Sequence, residues 1–163
     1  MKKIWMILLA VLLLTGCGGK QSMETISDDY DIPTVSVMQK LQVDLPSQFS
    51  APVMESQTAG KLYICDDYWV TVQTVAGGDL TQTVYNITGM QKEDLDILKT
   101  KQGEVKRYQW VWTSAGEDGV QVGRACVLDD GAYHYIVTAQ ASETVAGDLQ
   151  SQWQEIFASV HLT

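Results

Sequence analysis

Residues 105–140 hold three successive segments in which apolar and polar side chains alternate, and this pattern restricts the fold more than any other feature of the 163-residue chain. In 105–113, Tyr108, Trp110 and Trp112 fall on one side and Arg107, Gln109 and Val111 on the other. A period of two sends successive side chains to opposite faces of a pleated strand, so the segment reads as a strand with one aromatic face. The stretch AGEDG (115–119) separates it from a second strand over 120–128. DDG (129–131) leads into a third strand over 132–140, where Tyr133, Tyr135, Val137 and Ala139 alternate with His134, Ile136 and Thr138. Glycine reaches positive φ without steric cost and aspartate bonds its own backbone, so both stretches are turn chemistry. The expectation is a β-meander.

The flanking segments extend this. Strand-like runs at 61–65 and 68–75 surround Asp66 and Asp67, which predicts a tight hairpin. Gly77 and Gly78 break the pattern, and Asp79 is placed to cap a short helix carrying Leu80, Val84 and Ile87 at i, i+4 and i+7. Leu41, Val43 and Leu45 alternate ahead of Pro46 as a first strand, and 95–100 reads as a further short one. The chain closes with a helix over 143–159. Val145, Leu149, Trp153, Ile156, Phe157 and Val160 form one apolar stripe, with Asp148, Gln150 and Glu155 opposite. Such a helix must lie on a sheet. The fold class is therefore α+β: a mostly antiparallel sheet, largely a meander, with helices packed on its faces.

Two pieces of the chain carry a resemblance. The strand ending LQVDLPSQFS (residues 41–50) and the helix ending W..IF.SV.L (residues 153–162) resemble the two ends of the PsbP-like α/β sandwich. That fold is shared by extrinsic photosystem proteins and many small bacterial lipoproteins. The resemblance implies the sandwich architecture and an accessory or binding role. It carries over no functional residue, because no site motif of the family is present.

The N-terminus supplies an address. Lys2 and Lys3 precede an apolar run from Ile4 to Leu14, which is long enough for a signal peptide and shorter than the roughly 20 residues a membrane-spanning helix needs. Leu14-Thr15-Gly16-Cys17 looks like a bacterial lipobox. By that resemblance residues 1–16 are a lipoprotein signal peptide and Cys17 is acylated as the mature N-terminus. The chain is then anchored at the extracytoplasmic face of the cell membrane. Residues 18–34, rich in Gly, Ser, Thr and Asp, read as a flexible tether, and 35–163 as a single domain. Removing residues 1–16 takes away two lysines and no acid, which moves the formal net charge from −9 to −11. Nucleic acid is excluded as a partner, since phosphate binding needs clustered Lys and Arg. The partners expected are the membrane, through the N-terminal lipid, and an envelope protein or small ligand.

Chemistry-bearing motifs are sparse. The only histidines are His134 and His161, and beyond Cys17 the only cysteines are Cys65 and Cys126. No zinc-type spacing occurs, the pairs Asp28-Asp29, Asp66-Asp67 and Asp129-Asp130 lack the alternation of a calcium loop, and no metal or cofactor is expected. Neither a G-x-S-x-G elbow nor a P-loop is present. Cys65 and Cys126, both on expected strands of an exported domain, are candidates for one disulfide or for two separate thiols. Tyr108, Trp110 and Trp112, with Tyr133 and Tyr135 on a nearby strand, form either a ligand-stacking platform or the core face beneath the closing helix; the need of that helix for such a face favours core. The functional expectation is a non-enzymatic binding or accessory module. The alternative is an envelope hydrolase using His134 and nearby carboxylates.

Overall fold

The computed structural model describes residues 23–25, 37–56, 60–116 and 119–163. The stretch expected to be a signal peptide, Cys17, most of the stretch expected to be a tether (with Asp28-Asp29) and the middle of the 115–119 turn lie outside them. Among the described residues there are ten strands: β1 (Met23–Thr25), β2 (Leu41–Gln42), β3 (Met54–Ser56), β4 (Gly60–Ile64), β5 (Tyr68–Ala76), β6 (Leu98–Gln102), β7 (Val105–Gly116), β8 (Gly119–Asp129), β9 (Tyr133–Ser142) and β10 (His161–Leu162). The helices are α1 (Leu80–Thr88), α2 (Glu143–Ala146) and α3 (Gln150–Ser159), with a 3-10 turn at Lys92–Asp94. Eight strands form one sheet in the order β1-β6-β7-β8-β9-β5-β4-β3, antiparallel throughout, and β2 pairs with β10. The class is α+β.

The hairpin and the meander form where the alternation places them, and β5 closes the two units into one sheet by pairing with β9 along nine residues. To reach the far side of that sheet the chain leaves β5 and crosses one face as α1 before returning as β6. Asp79 starts this crossing helix by accepting from the Thr81 N–H at 2.9 Å. Gly89, at φ 72°, ends it by returning its N–H to the Tyr85 carbonyl. Beneath α1, Leu80 and Val84 meet Tyr108, Trp110, Trp112, Ala125, Val127 and Ile136.

The opposite face holds the larger core. Trp153, Ile156, Phe157 and Val160 pack there against Tyr68, Val70, Cys126, Leu128, Tyr135 and Val137, and Val145 and Leu149 lie against the same cluster. Strand β9 over most of its length, and β8 from Ala125 to Leu128, are buried on both faces, which is why their apolar character exceeds simple alternation.

Several expectations shift. The single closing helix is interrupted at Gly147-Asp148-Leu149, between α2 and α3. Glycine and aspartate are poor helix formers, and the break lets Ala146 and Trp153 each reach the sheet. The 41–45 strand is reduced to Leu41–Gln42, held against the C-terminus by reciprocal bonds between Lys40 and Thr163 at 3.0 Å. The strand read at 95–100 is Leu98–Gln102, and Met23–Thr25, within the stretch read as tether, are an edge strand on β6.

Arg107 ties the large core together. It is 1% exposed, and its Nη1 donates to the Val160 carbonyl at 2.9 Å and to Gln102 Oε1 at 3.1 Å, while Nη2 donates to the Phe157 carbonyl. Helix C-termini leave carbonyls without intrahelical donors, and a cation is favoured there by the helix dipole. Replacing Arg107 with Met is expected to cost about 3 kcal/mol, because buried carbonyls lose their donors. Trp153→Ala should cost about 3–5 kcal/mol, and Gln150→Ala, on the exposed side, close to nothing. Urea titration of the three variants checks the order.

Candidate functional site

The aromatic ladder is core. Tyr108, Trp110 and Trp112 are all buried, beneath α1 and not beneath the closing helix. Trp112 lies so close over Gly123 that a Cβ there would meet its ring atoms at 2.3–2.6 Å. Tyr135 belongs to the other face, in register with Leu128, which itself pairs with Arg107; Tyr133 packs with Tyr135 at 6.2 Å. The five rings therefore do not make one platform. A strand offset of one residue separates the two sets, since odd and even positions point to opposite faces.

Of the two alternatives for the cysteines, a disulfide or separate thiols, the structure has the second: Cys65 and Cys126 are free thiols. Cys126 is in β8 and Cys65 follows β4, with β9 and β5 between them. Three strand spacings amount to about 14 Å, twice the Cα separation that a disulfide spans. Cys65 is half-buried and its Sγ donates to the Tyr68 carbonyl at 3.3 Å. Cys126 is fully buried, and that burial pushes its thiol upward against the lowering influence of Arg107 and Arg124. Only thiolate reacts with alkylating reagents. Iodoacetamide should therefore modify Cys65 in the folded protein and Cys126 only after denaturation, read by peptide mass, with no mass change on reduction.

His134 sits under α1, 1% exposed, with Nδ1 2.7 Å from the Thr83 hydroxyl. Its Nε2 faces Asp129 Oδ1 at 3.9 Å, beyond hydrogen-bond range, and makes no hydrogen bond. With the ring proton on Nε2, Thr83 donates to Nδ1 and the Nε2–H points at the carboxylate. Asp130, the second nearby acid, is already occupied. It is buried, and accepts from the Ala132 and Tyr133 N–H groups at 3.0 and 2.8 Å and from the Tyr135 hydroxyl at 2.7 Å. It shapes the turn that carries β8 into β9.

Burial lowers the His134 pKa, opposed by Asp129, Asp130 and Asp79. A histidine neutral in the fold binds its proton more readily when unfolded. Its contribution to stability is complete above the unfolded value near 6.5 and declines as pH falls below it. His134→Gln should therefore flatten the loss of melting temperature between pH 7.5 and pH 5.5 that the unaltered protein shows.

Beside His134, along the flank of α1, lies a groove of about 200 Å³ lined by Gln73, Val75, Thr83, Asn86, Ile87 and Ile136. β5 supplies Gln73 and Val75, β9 supplies Ile136, and α1 supplies the rest. Gln82 Nε2 donates to Asn86 Oδ1 at 2.8 Å, which directs the donor end of the Asn86 amide elsewhere. The lining is uncharged: two amides and a hydroxyl above an aliphatic floor. It can bind a small polar molecule or a side chain of a partner. No local signal marks these residues in the sequence, because Gln73 belongs to a strand and Thr83 and Asn86 to a helix that meet only in the fold.

Among the described residues, no group of three or more His, Cys, Asp or Glu side chains is arranged to hold a metal ion, and no helix is long and apolar enough to cross a membrane. No protein-family model and no curated protein sequence matches the chain.

Proposed function

We propose that this chain is an extracytoplasmic lipoprotein, anchored through acylated Cys17, whose domain acts as a non-enzymatic binding or accessory module with the α1–β5–β9 groove as its recognition site. The observation that carries the binding role is the groove's lining. Amide and hydroxyl groups over an aliphatic floor are suited to holding a neutral ligand, and the lining has no charged group to activate a substrate. The anchoring rests on LTGC after the apolar run. The PsbP-like sandwich is proposed as the fold family from the strand and helix at the two ends of the domain, and it agrees in kind with a non-enzymatic role.

A second reading, the envelope hydrolase, has one observation in its favour. Thr83, His134 and Asp129 stand in the order nucleophile, base and carboxylate, with the first distance at 2.7 Å. The second distance, 3.9 Å, leaves the carboxylate out of hydrogen-bond contact.

Capture of envelope components by the full chain, cross-linked in its own cell, separates the readings. Binding predicts that a component retained by the unaltered protein and by His134→Gln is lost when Gln73 and Asn86 are both replaced by Ala. Hydrolysis predicts turnover of an envelope polymer that His134→Gln abolishes. Cys17→Ser should block acylation and leave an uncleaved or a soluble form. Correctly processed, membrane-bound Cys17→Ser protein would refute the anchor.

A further inference from the structure

The first described residues enter the sheet at its outer edge. Met23 lies opposite Gln102, Glu24 opposite Lys101 and Thr25 opposite Thr100, so β1 is the outermost strand beside β6. Met23 is thereby placed at the β6–β7 turn, where Gln102 pairs with Val105 and Gly103 takes a φ of 62°. Only residues 18–22 separate Met23 from Cys17. Six fully extended chain steps reach about 20 Å at most, whereas the tether read from sequence, 18–34, would reach about 60 Å.

We propose that the corner of the sheet formed by the start of β1 and the β6–β7 turn is the membrane-proximal surface of this protein, resting at the lipid headgroups, with the β3 edge and the β4–β5 turn directed away from the bilayer. This rests on the reading of Cys17 as acylated. Acyl chains in the hydrocarbon hold Cys17 at headgroup level, and the short span then holds the β1 corner there too.

The rest of the sheet extends outward from that corner. The β3 edge is seven strand spacings from β1, about 33 Å. The β4–β5 turn is also at the other end of the strands, because Tyr68 registers through Ala141 and Val122 with Thr113, well along β7 from Val105. The two turns are about 30 Å apart on the diagonal. The groove is displaced sideways from that corner, on β5 and β9, but stands at the same end of the strands, because Val75 registers through His134 and Asp129 with Lys106, next to the β6–β7 turn.

Glu104 in the β6–β7 turn and Asp67 in the β4–β5 turn are both exposed, and each can be replaced by Cys in a Cys65→Ser background, with Cys126 buried beyond reach of a label. The acylated full chain, carrying a fluorophore at one site or the other, is reconstituted into vesicles containing a headgroup-attached quencher lipid. Quenching at Glu104→Cys is expected to exceed that at Asp67→Cys severalfold. Inserting about 20 Gly/Ser residues after Gly19 should remove the contrast by restoring long reach. Equal or reversed quenching in the unextended protein would overturn the orientation while leaving acylation intact. A contrast that survives the insertion would overturn the short span as its cause. Failure of the chain to stay on vesicles would overturn the acylation reading and the orientation with it.

Discussion

A buried guanidinium bonded to two main-chain carbonyls and a side-chain amide holds the large face of this domain together. Arg107 reaches from β7 to the carbonyls at the C-terminal end of α3, those of Phe157 and the capping Val160, and to the Gln102 side chain on β6. Taking a charge out of water costs several kcal/mol, and here the negative end of a helix dipole and the carbonyl oxygens offset that cost. The consequence spreads beyond one contact. The end of α3 is fixed, and with it the start of β10, which pairs with β2 and ties the first strand of the large core to the last. Arg124 adds to the same region, its guanidinium 4.9 Å from the centre of the Phe157 ring.

With one face committed to α3, the other is shaped by α1. That helix is a crossover, so its position follows from the need to connect β5 with β6 on opposite sides of the meander. It covers β7, β8 and β9 with Leu80 and Val84, and its flank against β5 leaves the groove. His134 and Thr83 join helix to strand at the rim of that groove. The structural role of α1 and its proposed recognition role therefore meet along a single helix. The aliphatic part of α1 packs, the hydroxyl of Thr83 anchors, and Asn86 faces the open space.

The strands of the meander, the 60s hairpin and the capped helix were legible because each is set by local chemistry: a two-residue period, glycine and aspartate turns, and an aspartate one residue before a helix. The closing stripe was legible as a buried face, although the break at Gly147 was not, because an apolar repeat can continue in phase across a short interruption. The candidate site was scarcely legible. The aromatic ladder drew notice through its spacing, yet spacing reports only that side chains share a face and not which element covers them. Cys126 fell on a strand and Cys65 just past the end of one, but whether two strands adjoin is a property of sheet order.

The sequence by itself determined the strands of the meander and of the 60s hairpin, the capped crossover helix, the apolar side of each and the turns between them, since these follow from side-chain periodicity and backbone preference within a few residues. Only the tertiary structure decided that β5 pairs with β9, that α1 rather than the closing helix lies over Tyr108, Trp110 and Trp112, that Arg107 caps α3, and that β1 takes the outer edge. These are contacts between residues far apart in the chain. They are set by which pairing buries both faces of β8 and β9 at once while leaving the helix carbonyls with a donor, a condition on the whole packing that no short stretch of sequence contains.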